Sequence, residues 1–252
     1  MKFRLLFLLV LVSKIGYSQS EKLDDNKTDN IKNVIALFKE KNIHKISNII
    51  SFPLRREYPI PSINDKNEFK QRFNQVFDQT LVDKIVNSKI KQWSEVGWRG
   101  IMLDNGIVWI ESYEGKITAV NYQSTFEKKL KKDLIAKEKE NLHVSLKTFN
   151  SPTYKIKTKN YLIRVDELSN SKYRYASWKI NKIESSKPDI ILNNGALEFE
   201  GSGGNHVITF SNGSYTYKVY RNIIGEKNAP DITFEVEKDG KIILTEDGTI
   251  MQ

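Results

Sequence analysis

The chain contains no cysteine. That excludes disulfides, thiolate chemistry and a lipid attached to a cleavage-site cysteine, and it leaves burial as the means of stabilisation. Histidine is nearly as scarce. His44, His143 and His206 lie far apart, with none of the short spacings that metal ligation uses, so no metal and no cofactor is expected. Long apolar runs are missing as well. The one unbroken run, Leu5 to Val12, is well short of the ~20 residues a membrane-spanning helix needs, so no stable membrane anchor is expected. Charge of a single sign is lacking too. The 40 Lys and Arg are interspersed with 31 Asp and Glu, and this mild, unclustered +9 argues against nucleic acid as a partner.

What is present begins with an export signal. Lys2 and Arg4 form a positive start, the apolar run follows, and Gly16 and Ser18 are small residues at the −3 and −1 positions of a cleavage before Gln19. Residues 1–18 therefore read as a signal peptide for the Sec pathway, with a periplasmic or extracellular destination. Cleavage removes Lys2, Arg4 and Lys14, taking 40 basic residues to 37 against 31 acidic ones, a mature charge of +6.

Residues 19–28 are polar and read as a disordered lead-in. Thr28 or Asp29 can cap a helix whose apolar face is Ile31, Val34, Ile35 and Phe38, and Ile43 to Ile50 makes a second, shorter one. Leu54 to Tyr58 reads as a short strand before Pro59 and Pro61. Asp65 and Glu68 form a capping box for one long helix whose stripe is Phe69, Phe73, Val76, Phe77, Leu81 and Ile85. Three strands follow, hinged at Asn105-Gly106 and Glu114-Gly115. In this order of elements, residues 29–125 resemble the NTF2-like family, which implies a curved sheet cupping a long helix but transfers no site residue.

Residues 126–141 are charge-dense and built of helix formers, and they read as a solvated helical linker. From residue 142 to 252 the pattern is all β. Short alternating runs recur from Tyr161 to Leu244, with Asn194-Gly195, Asn212-Gly213 and Asp239-Gly240 as expected hairpin turns. The expected fold class is thus α+β: an NTF2-like helix-and-curved-sheet domain followed by a sandwich or barrel. The stretch Lys187 to Tyr217 resembles the tail module of uncharacterised secreted bacterial proteins, a resemblance that brings no activity with it.

Two groups of residues are candidates for a site. If the Asn105-Gly106 turn pairs Leu103 with Val108, one face of the meander is aliphatic and the other carries Trp98, Met102, Trp109, Glu111, Thr118, Val120 and Tyr122. Gly100 and Thr118, both small, leave a hollow beside Glu111, and an aromatic wall with one acid suits a ligand pocket. The second group is the loop Gly201, Ser202, Gly203, Gly204, Asn205 and His206. Its glycine spacing fits neither a nucleophile elbow nor a phosphate loop, which leaves a strand connection or bare backbone touching a ligand. His206 falls on an apolar face, where it reads as a hydrogen-bonded rim residue. One acid without a second titratable group is too little for catalysis. The expected function is a secreted, non-catalytic binding or interaction protein whose partner is a small molecule or an envelope protein. The alternatives are a hydrolase- or isomerase-like enzyme using Glu111, and a structural envelope component.

Overall fold

The structure, a computed structural model, describes residues 23–201, 203–226 and 228–251. The expected signal peptide and the first four residues of the expected lead-in, residues 1–22, lie outside the described residues; the rest of that lead-in is not disordered, since Asp25 to Thr28 form the first turn of a helix.

Among the described residues four helices come first: α1 (Asp25–Glu40), α2 (Ile43–Asn48), α3 (Lys66–Val76) and α4 (Gln79–Val86). The α1 helix begins four residues before the expected cap, because the Asp24 side chain accepts the Lys27 amide and completes an earlier first turn. The long stripe from Phe69 to Ile85 is split between two helices. The Asp78 side chain accepts the Leu81 amide, so it ends α3 and starts α4 while the apolar face continues across the break. The expected strand at Leu54 to Tyr58 reduces to one isolated bridge between Leu54 and Ile63.

A four-stranded meander follows: β1 (Trp93–Glu95), β2 (Ile101–Leu103), β3 (Val108–Ile110) and β4 (Ile117–Val120), one strand more than expected. The register of β2 on β3 is as read from the sequence, with Leu103 opposite Val108 and Ile101 opposite Ile110. The connection spans four residues, 104–107, rather than two. Between β3 and β4 the ladder slips at Trp109/Ile110, which pairs Val108 with Val120 and Trp109 with Ala119. That slip changes the faces: Val120, expected beside Trp109, enters the core, and Ala119 takes the place beside Trp109. The aliphatic face packs on the helices, where Phe38, Phe69, Phe73 and Phe77 form one aromatic cluster with ring centroids 5.1–6.3 Å apart.

The helix α5 (Thr125–Asn141) then leads to eight strands closed into a barrel: β5 (Ser151–Thr158), β6 (Tyr161–Glu167), β7 (Tyr173–Lys179), β8 (Ile190–Phe199), β9 (His206–Asn212), β10 (Tyr215–Arg221), β11 (Ile232–Lys238) and β12 (Lys241–Ile250). Each strand pairs antiparallel with its sequence neighbours, and β12 returns to β5. Closure removes both sheet edges, so the sandwich-or-barrel alternative resolves as a barrel. Two details differ from expectation. The β5 strand went unread, and Asn194-Gly195 is no hairpin. It lies inside β8, where Asn194 takes φ 63° and the ladder to β7 slips. A Cβ on Gly195 would sit 2.2 Å from the Phe210 ring, so the glycine lets that ring lie against the strand.

The α5 helix is helical as expected, and it is also tied to both halves. Glu127 is buried against Arg56, and Glu138 accepts the Tyr58 hydroxyl at 2.6 Å and the Arg164 guanidinium at 2.9 Å. Its Ile135 packs with Leu142, Leu146, Phe149 and Trp178 on the outer wall of the barrel. Among the described residues no helix is long and apolar enough to cross a membrane.

Candidate functional site

The outward face of the meander meets the barrel loops across a hollow of about 690 Å³. Trp98, Trp109, Glu111 and Thr118 line it, and so does Gly203 from the β8–β9 loop. The two groups of candidates, about a hundred residues apart in sequence, thus meet at one site. Ile223, from the β10–β11 loop, completes the barrel side.

Trp98 sits in the 3₁₀ turn Gly97–Arg99 between β1 and β2 and is 70% exposed. The turn exists because Gly97 and Gly100 both take positive φ, 52° and 97°. At Gly100 a Cβ would come within 2.3 Å of the Ile110 carbonyl oxygen, so no other residue fits without displacing β3. Tyr113, 80% exposed on the β3–β4 turn, stands at the rim. The Arg99 guanidinium lies 5.8 Å from the Trp109 ring centroid, a cation–π distance. The hollow therefore has aromatic walls, a floor of small residues including Gly100 and Ala119, and polar groups around its edge.

Its two carboxylates are both engaged. Glu111 accepts the backbone amides of Tyr113 at 2.9 Å and Glu114 at 2.5 Å, capping the turn that follows it. Glu95 lies 2.9 Å from the Lys27 ammonium, and that ion pair together with Asp24 raises the lysine well above the ordinary range. Asn121 donates its side-chain amide to the Gly106 carbonyl at 2.8 Å.

The other sequence candidates lie elsewhere. Met102 faces Trp109 across the ladder but does not line the hollow. Tyr122 turns to the helices, where its hydroxyl donates to the Asp78 carboxylate at 2.9 Å; burial, with Asp78 adding to it, pushes this phenol up. Ser202 lies outside the described residues. Gly201 and Gly204 have φ of 73° and 90°. The Asn205 side chain accepts the amides of Ile223 and Ile224, both at 2.8 Å, pinning the two barrel loops together. His206 is buried at the end of the barrel, its Nδ1 2.7 Å from the Gly204 carbonyl and its Nε2 2.6 Å from the Tyr154 hydroxyl. A carbonyl only accepts, so Nδ1 donates to Gly204. Burial pushes Tyr154 up to about 12.

Sequence reasoning missed Glu95, Arg99, Tyr113, Ala119, Asn121 and Ile223. Tyr113, directly before the Glu114-Gly115 turn, was a usable signal for one of them. Ala119 needed the β3–β4 slip, and Ile223 needed the barrel, neither of which periodicity reveals. Among the described residues no group of three or more His, Asp or Glu side chains is arranged to hold a metal ion. Compared with known proteins, the chain matches no family model, no curated protein and no solved structure.

Proposed function

We propose that the protein is an exported, non-catalytic binding module that holds its ligand in the hollow between the meander and the barrel loops. The supporting observation is the pairing of exposed aromatic rings with carboxylates that are already bonded. Trp98 and Tyr113 present exposed rings at the lining of the hollow, where a ligand can cover them. Glu111, the acid an enzyme reading would use, has both oxygens on backbone amides, as a turn cap does. The size and lining suit a ligand with flat faces and several hydrogen-bonding groups around its edge, such as a saccharide. The order of helices before a short meander supports an NTF2-like reading of the N-terminal half, and residues 1–18 support export.

Four tryptophans make the binding test direct. Trp93 and Trp178 are buried, so emission that responds to solutes reports Trp98 and Trp109. Soluble oligosaccharides and short peptides are screened by emission shift, and each hit is titrated calorimetrically against Trp98→Ala. The reading requires a saturable hit that this exposed substitution weakens at least tenfold while the melting temperature stays unchanged. Silence across the screen, or hits that bind the variant equally well, would reject it. Export is tested separately: the mass of the protein from its native host should begin at or near Gln19, and an intact Met1 would remove the exported part of the proposal.

A further inference from the structure

The two ends of the barrel differ. At the end that carries the β8–β9 and β10–β11 loops, His206 and Tyr154 close the interior, and Arg221 donates to the Asp231 carbonyl at 2.8 Å beside them. The opposite end is open. There a hollow of about 330 Å³ enters the barrel between β6, β7, β10, β11 and β12. Its floor is aromatic: Tyr175 lies nearly parallel to Phe234 with ring centroids 5.9 Å apart, and the Tyr217 centroid is 5.7 Å away. Its walls carry the phenols of Tyr161 and Tyr215 and the buried Ser177 hydroxyl, and Leu244 and Ile243 form the rim. Ile243 and its neighbour Ile242 are 57% and 58% exposed, which leaves an apolar lip on the β12 side of the mouth.

We propose that the open end of the barrel is a second binding site, distinct from the hollow at Trp98, for a small, flat, uncharged apolar molecule. Three features select that chemistry. The volume lies at the lower end of ligand pockets, and eight strands enclose an interior that either fills with side chains or holds one small molecule. Tyr175 and Phe234, nearly parallel and themselves buried, make the floor apolar and aromatic, which suits a small flat molecule laid against it. Among the described residues no Lys, Arg, Asp, Glu or His lines the hollow, so a charged ligand would lose its hydration with no opposite charge to replace it. Burial raises Tyr175 and Tyr217, so the phenols are neutral hydrogen-bonding groups at neutral pH.

The test uses the full chain and two dyes with the same naphthalene and phenyl rings: neutral N-phenyl-1-naphthylamine and its anionic sulfonate analogue. The neutral dye should bind saturably with one-to-one stoichiometry, and the sulfonate about tenfold more weakly or worse. Ser177→Leu, which fills the hollow from its wall, should abolish binding. Ile243→Lys changes only an exposed rim residue, so it keeps the fold and should still weaken the neutral dye about tenfold. Trp98→Ala should leave dye affinity unchanged, which separates this site from the other hollow and its ligand. Absent saturable binding, an equal affinity for the sulfonate, indifference to Ile243→Lys, or sensitivity to Trp98→Ala would each overturn the proposal.

Discussion

Arg56 and Glu127, 71 positions apart, form a two-point ion pair whose side chains are only 3% and 1% exposed. The guanidinium Nε donates to one carboxylate oxygen at 2.7 Å and Nη2 to the other at 2.5 Å. The same guanidinium also donates to the carbonyls of Val120 and Tyr122, so one side chain joins the segment after α2, the end of β4 and the start of α5. Removing one partner leaves the other buried and uncompensated. Glu127→Gln and Arg56→Met should each cost about 3–5 kcal/mol in urea unfolding. The pair Arg56→Met with Glu127→Leu should recover most of that loss, because no orphaned charge remains. Single variants that unfold within about 0.5 kcal/mol of the parent would show the pair to be dispensable.

At the other end of α5, Glu138 joins Tyr58 to Arg164. Burial and the adjacent Glu138 hold the Tyr58 phenol far above its usual range. Desolvation opposes the charge on Arg164, but Asp166 and Glu138 outweigh it and keep the guanidinium charged. A helix pinned at both ends opens less often than a solvated linker of the same composition. Trypsin should therefore cut residues 125–141 slowly in spite of their many lysines, and Glu138→Ala should speed that cleavage several-fold. Equal cleavage rates in the parent and the variant would show that Glu138 does not hold the helix down.

The core of this fold was legible wherever one face of an element alternates or repeats cleanly. Ile31, Val34 and Phe38 of α1, the Phe69–Ile85 stripe and the Leu103–Val108 register all lie where periodicity puts them. Irregularities account for the rest. Asn194-Gly195 has the composition of a hairpin turn because a bulge with one residue in the left-handed region needs the same residues. The β5 strand, SPTYKIKT, opens with Ser-Pro, and a proline, which lacks the N–H that a ladder uses, argues against a strand; only Tyr154 and Ile156 carry its apolar alternation, too short a pattern to stand out. The candidate site was half legible for the same reason. Trp98, Trp109, Glu111 and Thr118 share one face of a correctly read ladder, while the β3–β4 slip and the barrel loops brought in partners that local pattern cannot supply.

Glu111 makes a sharper case, because its surroundings decide what replacement should do. Its carboxylate bonds to the amides of Tyr113 and Glu114, with no arginine partner among these contacts. A glutamine keeps one acceptor oxygen and turns an N–H group toward an N–H donor. Glu111→Gln should therefore cost about 1 kcal/mol, and Glu111→Ala somewhat more, as a turn cap is lost. Neither change should abolish ligand binding at Trp98, since the acid holds the turn rather than the ligand. A stabilising Glu111→Gln in thermal unfolding would mean that the carboxylate is held at a cost, which is the signature of a catalytic acid instead of a cap.

The barrel's closing seam supplies the pH dependence. The β12–β5 ladder has three residue pairs, from Gly248–Thr158 to Ile250–Ile156, the shortest junction in the barrel. Glu246 extends it, accepting the side chain of Asn160 at 2.5 Å and its backbone amide at 3.2 Å. Burial alone would raise this carboxyl, but hydrogen bonds from Thr158 and Asn160 outweigh it and hold it below the ordinary glutamate value of 4.5. A folded-state value below the unfolded one means that the ionised carboxylate stabilises the native state. That contribution is fully present above the ordinary value and is lost as pH falls through the lowered one. Other depressed carboxylates, Glu68 among them, act in the same direction, so the informative quantity is a difference between two proteins. The parent should exceed Glu246→Gln in stability by about 1 kcal/mol at pH 7. That gap should hold down to about pH 5 and shrink steadily as the pH is lowered through 4 and 3. Urea unfolding of both proteins across this range measures it, and a gap that stays constant to pH 3 would show that the Glu246 charge plays no part in closing the barrel.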